Sequence, residues 1–274
     1  MKRILILGAS GFIGNALYKE LSPYFATYGT YYSNKKHKEN QQFYHFDHTQ
    51  EDVHEVLKKV KPKLIISAVR GPFEDQIDLH QQLIEHVKLY NCRLLFLSSS
   101  NVFDAFHNYP SYEFDKTLSE SVYGRLKIKI ENDIMRLAPS KYVIARLPMV
   151  YGLHSPRIKE IEALMDEKLP LEVFPNTIVN LISDRKLTQQ IHYIINQKLT
   201  GIFHLGTTDL ITHYDFHKRL AAKRGWDQLV FKQVFTTNDM RYIAVLPKEN
   251  KLPAHLLPTC EDVLEDSFAS MTDR

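Results

Sequence analysis

Short continuous apolar runs alternate with amphipathic stretches through the first half of the chain, which predicts repeated strand–helix units around a parallel sheet. Residues 3–7 read as a buried strand, because the run is continuous in branched aliphatics and stops at Gly8. Residues 12–21 then read as a helix, with Ile13, Leu17 and Leu21 at helical spacing. Further strands are predicted at 25–33, 43–46, 63–68 and 93–97, with helices at 51–60 and 75–90. Beyond Ser98 the alternation breaks. A polar and aromatic loop over 104–119 precedes a helix at 120–137 and a strand at 142–147. From Tyr151 onward helices and short strands mix, punctuated by Pro170, Pro175, Pro247, Pro253 and Pro258.

This order predicts an α/β fold, a Rossmann-type doubly wound parallel sheet with a smaller mixed α/β C-terminal domain. Residues 1–150 form the dinucleotide-binding domain and 151–274 the substrate domain, with segments near 176–208 returning to the first. There is no internal repeat and no Gly/Ser/Pro linker.

Composition narrows the classes little. With 44% hydrophobic and 24% charged residues, the chain of 274 residues has the profile of an ordinary soluble protein. Its formal charge of +3, with no block of five Lys/Arg, argues against a nucleic-acid or membrane-surface partner. Cys92 and Cys260 lie far apart without metal-type spacing, so a reducing compartment is expected. The apolar run at 4–7 is too short for a signal peptide, and nothing reaches the roughly 18 apolar residues of a membrane helix. A cytoplasmic location is the expectation.

The first strand runs directly into Gly8-Ala9-Ser10-Gly11-Phe12-Ile13-Gly14, where a helix begins. Gly8 permits the tight turn, Gly11 lets backbone approach a pyrophosphate, and Gly14 lets the helix pack close to the strand. The helix N-terminus offers free N–H groups and a positive dipole end to phosphates. An NAD site usually carries an acid at the end of the second strand, to hold the ribose hydroxyls. Here the stretch reads Thr30-Tyr31-Tyr32-Ser33-Asn34-Lys35-Lys36, without one. Ser33, Lys35 and Lys36 suit a 2′-phosphate, which favours NADP over NAD; the bland alternative is a solvated lysine-rich loop. Arg70, just after the strand at 63–68, suits either a phosphate in the substrate pocket or a plain surface position.

On the helix at 120–137, Tyr123 and Lys127 stand one turn apart and project from one face. A phenol near pKa 10 is a poor acid–base at neutral pH, and an adjacent ammonium favours its ionised form. Such a tyrosine can exchange a proton with a carbonyl or alcohol oxygen during hydride transfer. The serine cluster Ser98-Ser99-Ser100 ends the preceding strand at the sheet edge where α/β folds bind ligands, and a hydroxyl there can orient an oxyanion.

These stretches resemble the extended short-chain dehydrogenase/reductase family, and within it the dTDP-4-dehydrorhamnose reductases. The G-x-x-G-x-x-G turn, Leu97 to Asp104, Tyr123 to Glu131, Arg146 to Gly152 and Gly201 to Gly206 carry the likeness. The resemblance implies Ser99, Tyr123 and Lys127 as catalytic residues, with Tyr123 and Lys127 also against the nicotinamide ribose. It implies cofactor contacts from Gly8, Ser10, Gly11, Phe12, Ile13, Gly14, Ala68, Val69, Leu147 and Met149. It places Asp47 against the adenine, although a helix-capping role fits as well. Ser100 and Asn101 join Arg70 as substrate contacts. A nucleotide-linked sugar is the implied substrate and a monomer or homodimer the implied assembly. Ser100 stands where that family has Asp, and Ala105 where it has Gly.

Thirteen histidines are present. His45 with His48, and His213 with His217, have ligand-like spacing, but no third ligand converges in sequence, so no metal is expected. Three functions compete: an NADP-dependent reductase of a keto-sugar nucleotide, an NAD-dependent sugar-nucleotide epimerase, and a dinucleotide-binding regulatory protein without catalysis.

Overall fold

A computed structural model describes residues 2–268. Its centre is a sheet of seven strands in the order β11-β6-β5-β4-β1-β2-β3, every pair parallel. Those strands are β1 (Arg3–Leu7), β2 (Ala26–Tyr31), β3 (Phe43–His45), β4 (Leu64–Ser67), β5 (Arg93–Ser99), β6 (Tyr142–Leu147) and β11 (Gly201–His204). The chain moves outward from β1 to β3, then returns to β4 on the other side of β1. That reversal creates a crevice at the carboxyl ends of β1 and β4, where such sheets bind ligands.

Helices α1 (Phe12–Leu21), α2 (Val53–Val60), α3 (Phe73–Leu89), α4 (Val122–Ile134) and α6 (Asp184–Asn196) cover the sheet. Ile4, Ile6, Leu17, Leu187 and Ile191 share one apolar cluster; Leu5, Leu7, Leu57, Leu83 and Ile130 share another. Alternate residues of β1 thus feed opposite faces, which explains its uninterrupted apolar run. Two helices begin later than their periodicity predicts, because side chains cap them. The Asp52 carboxylate accepts from the His54 N–H at 2.8 Å, and the Ser121 hydroxyl from the Gly124 N–H at 3.0 Å. Strand β5 runs two residues farther than expected, to Ser99.

A second core gathers Tyr151, Ile158, Val179, Leu181, Phe216, Leu220, Val263 and Leu264. It lies among α5 (Pro156–Asp166), α7 (His213–Arg224), α8 (Cys260–Phe268) and three small sheets. Strand β7 (Met149–Tyr151) pairs with β10 (Leu181–Ser183), and β8 (Leu171–Val173) with β13 (Phe231–Gln233). Strand β9 (Thr177–Val179) lies between β12 (Ile211–Thr212) and β14 (Arg241–Ile243). Within the segment near 176–208, α6 and β11 join the main sheet while β9 joins the second core. No helix among the described residues is long and apolar enough to cross a membrane.

Candidate active site

The glycine turn sits at the topological reversal, and two of its glycines are forced by neighbouring backbone. Gly8 adopts φ +79°, and a Cβ there would meet the Ala68 carbonyl oxygen at 2.8 Å. A Cβ on Gly14 would lie 2.1 Å from the Gly8 oxygen. Gly11 differs: a Cβ would meet only the Gly8 oxygen, at 3.3 Å, and its outer side is open. The turn is fastened to β2, since the Gly8 N–H donates to the Thr30 hydroxyl at 2.9 Å and the Ser10 N–H to the Thr30 carbonyl at 3.2 Å. Phe12 and Ile13 are half-buried, with Ile13 packed on the core.

Around the neighbouring strand ends, Ser33 and Lys36 are exposed beyond β2, while the Lys35 side chain lies outside the described residues. One Asp47 carboxylate oxygen accepts from the Thr49 N–H at 3.0 Å and its hydroxyl at 2.7 Å. These bonds hold the Asp47 carboxyl below the usual carboxylate range. Asp47 thus closes a local turn, and the residue that caps the following helix is Asp52. Next to Asp47, His48 packs so tightly on Gly71 that a Cβ there would fall 2.3 Å from Nε2. That Nε2 is buried without a hydrogen-bond partner among the described residues. Sequence reasoning weighed His48 as a metal ligand and favoured a solvated or capping role; this buried, unpartnered position matches neither. Ala68 and Val69, half-buried, complete this side, and Arg70 is exposed just beyond them.

Ser99, Tyr123 and Lys127 converge at the carboxyl end of β5. The Ser99 hydroxyl lies near enough to the Tyr123 phenol to draw its pKa down, and it donates to the Asn101 side-chain oxygen at 2.9 Å. Lys127, only 4% exposed, donates to the Leu97 carbonyl at 3.2 Å, and its Nζ lies 5.5 Å from the Tyr123 ring centre. Burial pulls the Lys127 amine down to about 8, Arg70 adds to that pull and Glu131 opposes it.

Tyr123 keeps 43% of its surface accessible, yet protein packed around the phenol raises its pKa. Arg70, the Ser99 hydrogen bond and Arg157 draw it back down. The two arginines thus exert the pull that sequence reasoning assigned to Lys127. Ser100 is buried and Asn101 half-buried beside Ser99. Leu147 is buried against the core, and Met149 is half-buried against the second one.

A buried polar chain fixes this arrangement. The Ser98 hydroxyl donates to Glu131 at 2.5 Å, and Glu131 pairs with Arg146 at 2.7 Å, both residues almost fully enclosed. Arg146 also donates to the Glu113 carbonyl at 2.9 Å, and the Glu113 carboxylate accepts from the Lys248 and Asn250 N–H groups. At the start of α4, Asp104 accepts from the Glu120 N–H at 2.7 Å and the Ser121 hydroxyl at 2.6 Å. A Cβ on Gly124 would lie 2.0 Å from the Ser119 hydroxyl and 2.3 Å from the Asn101 carbonyl, so only glycine fits beside Tyr123. Glu131 and Arg146 stood within recognisable motifs, but nothing in their spacing announced that they pair.

The model of the NAD dependent epimerase/dehydratase family matches residues 4–170. Methionine adenosyltransferase 2 subunit beta of Danio rerio is 23% identical, across 78% of this chain and 71% of its own. dTDP-4-dehydrorhamnose reductase of Aggregatibacter actinomycetemcomitans is 23% identical, across 92% and 90%. A crystal structure of dTDP-4-dehydrorhamnose reductase from Bacillus anthracis in complex with NADP superposes with a TM-score of 0.74, at 21% identity over 98% of this chain and 99% of that one. The chain therefore belongs to the NAD dependent epimerase/dehydratase family, the NAD(P)-dependent oxidoreductases and epimerases of the extended short-chain dehydrogenase/reductase type.

Proposed function

We propose that the protein is an NADP-dependent reductase of a keto-sugar nucleotide. The observation that carries this reading is the convergence of Ser99, Tyr123 and Lys127 beside the glycine turn, at one sheet edge. The residues present suit a dinucleotide. The open side of Gly11 admits a pyrophosphate to the N-terminus of α1. The unpartnered His48 Nε2 is a buried polar atom awaiting a ligand group. Ser33, Lys35 and Lys36 suit a 2′-phosphate, Ala68 and Val69 the adenosine side, and Met149 and the Leu147 backbone the nicotinamide side.

A bound nicotinamide dinucleotide supplies hydride to a carbonyl carbon. Tyr123 delivers the proton that the new alkoxide requires, from its phenolic oxygen. The raised pKa keeps that phenol protonated at neutral pH, as a donor must be. Ser99 holds the substrate oxygen in line with Tyr123. Lys127, mostly protonated at neutral pH, offers its remaining N–H donors to the ribose. Ser100 and Asn101 flank the substrate.

Oxidation of NADPH and NADH against a panel of nucleotide-linked 4-keto sugars tests the reading, with Tyr123→Phe as control. Turnover preferring NADPH is expected, falling about 10²–10⁴-fold in the variant. NAD retained through purification, with no net oxidation, would replace the reductase by an epimerase. The likeness to the methionine adenosyltransferase subunit favours a second reading, a dinucleotide-binding regulatory protein. Tight NADPH binding without turnover on any sugar would select it.

A further inference from the structure

Side chains alternate along β5, so Leu94 and Phe96 join the apolar cluster beneath α3 and α4, while Leu95 and Leu97 join the one on the opposite face. A polar pair interrupts the packing around Phe96. Ser67, the β4 residue that pairs with Phe96, is 2% exposed, and His80 of α3 is 1% exposed. Buried polar groups are expected to be bonded, and both nitrogens of His80 are. Its Nδ1 lies 2.6 Å from the Gln76 carbonyl oxygen, one turn back on α3, so Nδ1 carries the hydrogen. Its Nε2 is therefore bare and accepts from the Ser67 hydroxyl at 2.9 Å. Bonds from both nitrogens fix the tautomer and the orientation of the ring.

The locked ring rests on Phe96. The two rings meet edge to face, with 4.9 Å between their centres and 79° between their planes. On Phe96 sits the Lys127 ammonium, 4.6 Å from the ring centre, with one N–H donated to the Leu97 carbonyl. A ring face attracts a cation, most strongly where water is excluded, and Lys127 is 4% exposed. The charged and titratable groups around the amine are Tyr123 and Glu131 on its own helix, Arg70 beyond β4, and His80. Arg70 repels the ammonium, and the Glu131 carboxylate is engaged by Arg146. His80 adds no second repulsion, because burial pulls it down to about 3, against the bond to Gln76. An aliphatic residue in its place would fill the space but would not fix the angle of Phe96.

We propose that His80, locked by Ser67 and Gln76, is a positioning residue: it holds Phe96 at the angle that seats the Lys127 ammonium beside Tyr123. The inference rests on the reductase reading, in which Lys127 holds the nicotinamide ribose, and extends that machinery to residues buried behind it. His80 exchanges no proton in this role. The seat favours the charged amine, so its loss should lower the pKa of Lys127 further.

NMR titration of the full chain, isotopically labelled in its lysine side chains, tests the seat without cofactor or sugar; the Lys127 signal is the one absent from Lys127→Arg. Phe96→Leu keeps the surroundings apolar and removes the ring face, so the Lys127 midpoint should fall from about 8 by roughly one unit. His80→Leu should move it in the same direction. His80→Asn, whose amide N–H can replace Nδ1 toward the Gln76 carbonyl, should recover part of the loss. NADPH binding to Phe96→Leu should then weaken about eightfold at pH 8.5 and less than about twofold at pH 6.5. A merely structural defect would weaken it equally at both. A Lys127 midpoint unchanged in Phe96→Leu overturns the seat, and one unchanged in His80→Leu overturns the role of His80. Should either variant not fold, Ser67→Ala, which removes one lock and little bulk, takes its place under the same criteria. A parent that binds no NADPH overturns the reductase reading instead, and the titration without cofactor still judges the seat.

Discussion

The carboxyl edge of the seven-stranded sheet and the second core are held by different kinds of constraint. At the edge, neighbouring backbone dictates residue type: Gly8, Gly14 and Gly124 each sit where a Cβ would come within 2.8 Å of other atoms. In the second core the strands are two or three residues long, and side chains tie remote segments together. Asn180 donates to the Val245 carbonyl at 2.7 Å, Asn176 to the Thr237 carbonyl at 2.6 Å, and Ser183 to Asp266 at 2.5 Å. A local backbone constraint leaves a mark in the sequence; a bond spanning more than sixty residues does not. The edge is therefore the part of the molecule that sequence reveals, and the second core the part that it conceals.

The largest expected effect lies in the buried Glu131–Arg146 ion pair at the edge. Arg146→Met leaves the Glu131 carboxylate enclosed and unpaired, which should cost about 3–5 kcal/mol. For a domain of this size that lowers Tm by roughly 2–4 °C per kcal/mol, read in a thermal melt. Replacing both partners, as Glu131→Leu with Arg146→Met, should recover much of the loss. In the second core the Arg224–Glu162 pair is 2.8 Å long, but its glutamate is 44% exposed, so Arg224→Met should cost about 1 kcal/mol. Equal melting losses from the two arginine variants would erase the contrast.

Lys127 makes the contrast testable by pH. Its native pKa near 8 lies below its unfolded value, so the unfolded chain binds more protons between about 8 and 10.5. Stability contributed by this group therefore rises with pH through that window and is at its lowest below 8. Lys127→Met should be more stable than the parent at pH 7 in denaturant titration, by a margin that shrinks toward pH 10. In the second core Lys223 is shifted the other way, raised by the hydrogen bonds it donates to Glu261 and then Glu265. A margin that widens with pH in Lys127→Met would show the buried amine to be stabilised by its surroundings.

Gly124→Ala should follow, costing about 1–3 kcal/mol through overpacking against the Asn101 carbonyl, with turnover falling further than stability explains. Gly225, at φ +66° with nothing within 4 Å of a Cβ, should cost about 1 kcal/mol as alanine and leave turnover intact. The pair also marks what sequence could convey. The apolar periods gave the order β1 to β6, and the glycine turn and the Ser99–Tyr123–Lys127 spacing gave the edge, because each is a local demand on residue type. Helix starts shifted where Asp52 and Ser121 cap. Arg157 escaped notice because its position depends on Tyr151 and on the fold of the second core. His48 escaped because its buried Nε2 faces Gly71, more than twenty residues away in the chain.

The smallest effects expected are those of two helix caps, and they divide the roles most cleanly. The Ser121 hydroxyl accepts from the Gly124 N–H at 3.0 Å and the Thr212 hydroxyl from the Asp215 N–H at 3.0 Å, so each alanine variant should lose about 1 kcal/mol. The helices they start differ in cargo. Helix α4 carries Tyr123 and Lys127, so Ser121→Ala should lower kcat and leave KM for the sugar nucleotide nearly unchanged. Helix α7 begins with His213, beside Arg157, so Thr212→Ala should raise KM and spare kcat. Steady-state kinetics on the two variants reads this directly. A fall in kcat from the Thr212 variant would place the second core within the chemistry itself, because a cap on a helix of that core touches none of the bonds that hold Tyr123 and Lys127.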